Sequence, residues 1–461
     1  MKLSCTHQIG KSIQNRKKFL MIFFSAFLLH VAFLFSEYSA WLVFFFAVPL
    51  FYNCFECQKK AQAFNYGFSW GFFFYAMHLW WLAVLLFERG YGISRFFLYL
   101  LMLGYFALWL GLCLLSAYIF SKKKLCWISW VFFIWIFFMS VYYGGLAIGG
   151  WIEGYSLSFP VLPLAYYPRI LFCVSFLSKG LVLFLILLFQ AAVVLFFKKK
   201  KSFYFFLAGL SLLPFLVFSF FWRELNLPLW TKHVEIARAL SKTLCIDDYE
   251  KKIEEELIRI KKEKKDLDAI FMPESTFPFP INNYPFVVDL WSYNALTKNT
   301  KLVLGTHRKE GSSYLNCVCV LHQGRITKIY DKKEHLLLTE KFPRMPLLKI
   351  LFKDTFLKSS YPFISGSKKK NIFFLKEQPV EFFLCSEFFV PRYFSDVQSD
   401  CKTIVCFVND GWFSCNYIVT AMLLCARMHA LENNKNVLYV SHKHGCFIGK
   451  DGLVGHDFFQ T

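Results

Sequence analysis

Three side chains of complementary chemistry close three strand-like segments. Glu274 ends "LDAIFMPE", Lys332 ends "RITKIYDK" and Cys385 ends "VEFFLC". A thiolate is the nucleophile of such a set, and it forms readily only where a nearby positive charge lowers the thiol pKa. Lys332 carries that charge and can afterwards stabilise the oxyanion of a tetrahedral intermediate. Glu274 can take the thiol proton and return it to a leaving group. Taken singly, each residue has a plainer reading. A strand-end Cys is usually a small buried apolar residue, a Lys within "DKKEH" a solvated charge, and a Glu after Pro a turn residue. Their shared placement argues otherwise, because sites in open α/β sheets assemble at the carboxyl ends of strands.

The elements that must position these residues begin near His233, where apolar blocks give way to alternating strand and helix signals. "HVEIARAL" predicts a strand. "DDYEKKIEEELIRIKKEKKD" predicts a helix, with Asp247 or Asp248 as cap and Ile253, Leu257 and Ile260 as its apolar stripe. "LDAIFMPES", "KLVLGT", "YLNCVCVL" and "RITKIYDK" predict strands, the last two flanking a His322-Gln323-Gly324 hairpin turn. "VEFFLCSE" and "TIVCFVND" are further strands, "YIVTAMLLCARMHALENN" a strong helix, and "NVLYVSH" and "CFIGKDG" follow. This order predicts a layered mixed α/β domain over residues 223–461.

The first 222 residues are of another kind. The chain is 56% hydrophobic and 18% charged, with a mean hydropathy of +0.42, against about 25% charged residues in soluble domains. That excludes a wholly soluble or a disordered protein. Seven apolar stretches, near 19–36, 40–55, 66–87, 96–120, 126–148, 180–197 and 203–222, predict an α-helical membrane domain over 1–222. The net charge of +21 lies mainly in this half, where 18 Lys+Arg face 4 Asp+Glu. Fourteen of those cations fall in the N-terminal segment and in every second connection, at 59–60, 122–124 and 198–201. Positive short loops stay in the cytoplasm, so the excess predicts a cytoplasmic N-terminus and an outer α/β domain, not a nucleic-acid patch. No small-x-small site follows the first run, so no signal cleavage is expected. The aromatic, Pro-rich "YSLSFPVLPLAYYP" within 149–179 suits either the membrane interface or a packed re-entrant loop.

At the reactive residues the sequence resembles the apolipoprotein N-acyltransferases, membrane-embedded members of the nitrilase (carbon–nitrogen hydrolase) superfamily. The matching segments are "DAIFMPESTFP", "IYDKKEHLLLTEKFP", "FFLCSEFFVPRYF", "CFVNDGWF" and "ARMHALENNKNVLYVSHKHG". The resemblance implies a Glu–Lys–Cys triad at Glu274, Lys332 and Cys385, with supporting acids at Glu340 and Glu387. It implies an αββα sandwich and no cofactor or metal. It also implies a ping-pong reaction at the bacterial inner membrane, with the catalytic domain on the periplasmic side. In that reaction Cys385 takes an acyl chain from a glycerophospholipid. The α-amine of the diacylglyceryl-Cys at the N-terminus of an apolipoprotein then receives it. The sequence departs from the family at "ARALSKTLC", "EHLLLTE", Ser386 and "HKHG", and it stops at Thr461 where the family continues. These departures leave two rivals standing: a membrane-tethered amidase in which water resolves the thioester, and a degenerate relative that only binds lipoproteins.

On a strand the side chains of His442-x-His444 would share one face, but no third ligand lies at a suggestive spacing, so no metal site is expected. Cys317-x-Cys319 would face one side of a strand, where a disulfide needs unusual backbone geometry, so buried free thiols are expected there.

Overall fold

The structure, a computed structural model, describes residues 2–88, 92–122, 127–143, 156–225, 234–237, 246–263, 267–293, 299–335, 363–367, 372–375, 377–389 and 400–458. Two compact units emerge. One comprises Met1–Tyr142, Leu157–Trp222 and Cys415–Leu424, the other Tyr143–Ser156, Arg223–Ser414 and Cys425–Thr461.

The first unit is helical. Five stretches among the described residues are long and apolar enough to cross a membrane: Arg16–Leu34, Ser36–Phe55, Tyr99–Phe120, Lys179–Lys199 and Ser202–Phe221. The expected stretch at 66–87 is instead divided at Leu79 into helices Lys60–His78 and Trp80–Glu88. Ile128–Tyr143 is a shorter apolar helix. The Ser36–Phe55 span is itself interrupted by a 3-10 turn at Ala40–Phe44. Lipid offers no hydrogen bonds to freed backbone groups. Gln190 supplies them, accepting from Ala47 N–H and donating to Val43 O, while Ser25 Oγ donates to Phe46 O. Gly67 and Gly71, one helical turn apart, let Lys60–His78 approach the helix Gly92–Phe120 closely. A Cβ at Gly67 would lie 2.5 Å from Leu110 O, the small-residue device of membrane helix pairs. Residues 156–165 of the Pro-rich segment are all buried, in short 3-10 turns, as a packed loop would be.

The second unit holds two sheets. β1 (Val234–Ile236), β2 (Ala269–Pro280), β3 (Lys301–Glu310), β4 (Ser313–His322) and β5 (Arg325–Asp331) run in that order, the first three parallel and the last two antiparallel. The other sheet has the order β11 (Val454–Asp457), β10 (Gly445–Ile448), β9 (Asn436–Ser441), β8 (Thr403–Val408), β7 (Gln378–Leu384), β6 (Ile372–Leu375). Here β7, β8 and β9 are parallel at the centre. Alternate residues build the layer between the sheets: Ala269 and Phe271, Val318 and Val320, then Val380, Phe382 and Leu384, Val405 and Phe407, Leu438 and Val440. The intervening set, Ile270, Met272, Leu302, Leu304, Cys317 and Cys319, faces the helices Ile246–Glu263 and Pro285–Tyr293. Ile253, Leu257 and Ile260 are buried there, so the expected stripe is the one used. On the far side of the second sheet Phe383 meets Phe388, and Phe388 meets His429 of the helix Asn416–Asn433. Layering is therefore helix, sheet, sheet, helix. The short strands β6 and β11 were not anticipated, because four residues carry too little alternation to stand out.

Candidate active site

Glu274 and Lys332 meet. Lys332 Nζ donates to Glu274 Oε1 at 3.0 Å, with the two side chains only 2% and 4% exposed. Asn316 Nδ2 donates to the same oxygen at 2.8 Å, and the N–H of Asn409 to Oε2 at 3.1 Å. Lys332 follows β5 directly. Its N–H donates to Asn316 O, and its own carbonyl accepts from Gly366 N, each at 2.8 Å. One residue, Asn316, thus fixes the main chain of the cation and the side chain of the anion.

Cys385 follows β7 and precedes a four-residue helix, Ser386–Phe389. Its φ of +43° lies in the left-handed region, unfavourable for a residue with a side chain and often kept where function requires it. Hydrogen bonds hold it there: Cys385 N–H to Phe407 O at 2.7 Å, and Phe388 N–H to Cys385 O at 2.9 Å. The thiol is half-buried. Cys415 is likewise half-buried, whereas Cys401, Cys406, Cys425 and Cys446 are buried.

Glu387 stitches the thiol's turn to the lysine's. Its Oε2 accepts from Tyr330 Oη at 2.7 Å and from Leu384 N–H at 2.9 Å, and its Oε1 from Lys333 N–H at 2.5 Å. Ser386 Oγ donates to Glu334 O at 2.9 Å. The residues next to Cys385 are thus hydrogen-bonded to residues on both sides of Lys332. Burial raises the Glu387 carboxyl above the usual carboxylate range, against the pull of those donors and the Lys332 ammonium. Cys406 of β8 is fully buried, its thiol pushed well up by burial first and then by Cys385, Cys425, Glu274 and Glu387.

Glu340 lies outside the described residues. His442 and His444 do not share a strand face; they sit in the bend after β9, because the ladder with β10 begins only at Val440↔Gly445. The His442 ring turns to Glu274, its Nε2 lying 2.8 Å from Glu274 O. No group of three or more metal-ligating side chains occurs among the described residues. Cys317 and Cys319 are free and buried, their sulfurs 3.9 Å apart. Sequence reasoning passed over Asn316, Asn409, Tyr330 and His442's contact with Glu274. A polar residue inside the apolar run "YLNCVCVL" was the available signal for Asn316.

No protein-family model and no curated protein matches the chain. Among solved structures the chain is similar to an amidase of the nitrilase superfamily from Nesterenkonia, at 10% identity over 49% of this chain and 85% of that one, TM-score 0.38. It is also similar to a carbon–nitrogen hydrolase from Helicobacter pylori, at 9% identity over 49% and 86%, TM-score 0.38. A third is a glutamine-dependent NAD+ synthetase from Acinetobacter baumannii, at 15% identity and TM-score 0.36. There the match covers 49% of this chain and 42% of the synthetase, less than half its length.

Proposed function

We propose that this chain is a membrane acyltransferase working through a thioester on Cys385. The observation that carries this reading is the buried Glu274–Lys332 pair joined, through Glu387, to the turn that holds Cys385. Glu274 takes the thiol proton as sulfur attacks an ester carbonyl. The oxyanion that develops is met by the Lys332 ammonium. Collapse breaks the ester C–O bond, and Glu274 returns the proton to the departing alkoxide. An amine then attacks the thioester, Glu274 takes its proton, and the departing thiolate recovers that proton. The net change converts ester and amine to alcohol and amide.

The apolar helices favour lipid-anchored substrates, with a glycerophospholipid as acyl donor and the diacylglyceryl-Cys amine of an apolipoprotein as acceptor. Holding both on one membrane scaffold lowers the entropic barrier to transfer. The Lys clusters all fall on one side only if Lys60–Glu88 and Ile128–Tyr143 also cross the bilayer. The proposal therefore includes seven crossings of the bacterial inner membrane, with the N-terminus cytoplasmic and the α/β unit periplasmic.

The test is an acyl-label experiment. Wild-type protein in vesicles of acyl-labelled phospholipid should acquire hydroxylamine-labile label, and Cys385→Ser should not. Absence of label on wild type removes the transferase reading. Label that discharges to free fatty acid at the same rate with and without an amine acceptor replaces it with the amidase.

A further inference from the structure

β2 leaves its ladder around Glu274. Pairing with β3 holds through Met272↔Leu304 and resumes at Phe277↔Thr306, so residues 273–276 lie opposite Gly305 alone. Pro273 has no N–H to give. Gly305 leaves the room: a Cβ there would stand 2.2 Å from Pro273 O and 2.6 Å from Glu274 Cα. Ser275 takes a φ of +55°. The carbonyls of Pro273 and Glu274 thus leave the ladder, and buried carbonyls need donors. Thr276 Oγ1 donates to Pro273 O at 2.8 Å. His442 Nε2 donates to Glu274 O at 2.8 Å. Because a carbonyl only accepts, that nitrogen must carry the hydrogen.

The turn that presents His442 is itself pinned. Ser441 Oγ donates to Asp410 Oδ2 at 2.7 Å, and Lys443 N–H to Asp410 Oδ1 at 3.0 Å. Asp410 is fully buried and follows Asn409, whose N–H grips Glu274 Oε2. One buried carboxylate therefore links the donor to Glu274's side chain with the donor to its main chain.

We propose that His442 is a positioning residue for Glu274. Its Nε2–H fixes the main chain of the proton acceptor, and so the direction of the carboxylate. This rests on the role given to Glu274 above. Among the described residues, the charged and titratable groups around Glu274 include Lys332 at Oε1, His442 at the carbonyl, His307 through Ser275 Oγ at 3.3 Å, Asp410 behind Asn409, and the buried Cys406 thiol. The contact survives protonation of His442, since an imidazolium carries hydrogen on both nitrogens.

Alkylation of Cys385 by iodoacetamide tests this on the full-length protein in phospholipid nanodiscs, with the modified cysteine located by peptide mass mapping. Near pH 9 a thiol ionises largely unaided, since free Cys titrates at about 8.5, and the base matters little. Near pH 7 a displaced base should slow the reaction by about 10- to 100-fold. His442→Leu, which removes the donor, should show that deficit near pH 7 and lose most of it near pH 9. His442→Gln, which keeps an N–H, should recover most of the neutral rate. Wild-type alkylation of His442→Leu near pH 7 overturns the proposal. So does an equal deficit at both pH values that His442→Gln does not relieve, which a role in folding alone would produce. Glu274→Gln separates the two levels. If it too alkylates like wild type, the role of Glu274 is wrong; if it slows while His442→Leu does not, only the His442 inference falls. The assay needs no acyl donor, so it stands whether or not a phospholipid thioester forms.

Discussion

Lys332→Met probes the strongest electrostatic feature of the site. The substitution keeps most of the side-chain volume and removes the ammonium, leaving Glu274 buried with Asn316 and Asn409 as donors. At 3.0 Å and 2–4% exposure the pair is fully desolvated. Removing one member of such a pair costs about 3–5 kcal/mol, because the remaining charge stays buried without its partner. In a unit of this size each kcal/mol moves the melting midpoint by roughly 2–4 °C, so the loss should be about 6–20 °C. The double variant Lys332→Met/Glu274→Gln carries neither charge. The Asn409 N–H can still meet an amide oxygen, and Asn316 can turn its own amide to suit. The double variant should therefore melt well above the sum of the two single losses, with a coupling of about 2 kcal/mol or more. The assay is thermal unfolding in one detergent, followed by far-UV circular dichroism at one scan rate, because unfolding of such proteins is often irreversible. A Lys332→Met midpoint within about 2 °C of wild type, or strict additivity in the double variant, would refute the reasoning.

Two further outcomes are expected. Glu387 has a carboxyl raised by burial, so its neutral form is the one the fold prefers. Its contribution is present below the unfolded value of about 4.3 and is lost as pH rises through the higher folded value. The melting advantage of wild type over Glu387→Gln should accordingly shrink from mildly acidic to neutral pH, and an advantage that grows with pH would contradict the assignment. A reporter active only in the periplasm, fused after Trp222, should be active; an inactive fusion reverses the proposed orientation.

Much of the fold was legible because it is periodic. Short apolar, strand-like runs marked β2, β4 and β7, and helical spacing marked Ile253, Leu257 and Ile260 before their burial was known. Long apolar runs marked the membrane-type helices, but not the division at Leu79 nor the 3-10 turn that Gln190 repairs. Those depend on which polar side chain a neighbouring helix presents. The His442-x-His444 pattern suggested strand geometry, yet β9 ends at Ser441 and Asp410 bends the chain there.

By itself the sequence determined the chemical inventory of the candidate site: an amine and a thiol just after strands it could name, and a carboxylate that falls within β2, where the ladder breaks, and not at its end. Tertiary structure alone decided what holds them. Glu274 is gripped by residues 42, 135 and 168 positions away. Strand ends follow from local pattern, because backbone and side-chain periodicity are local properties. The donors to a carboxylate and to a displaced carbonyl follow from sheet order and from where a ladder breaks. Those are set by packing between segments distant in the chain, and any buried acceptor is satisfied by whichever donors that packing delivers.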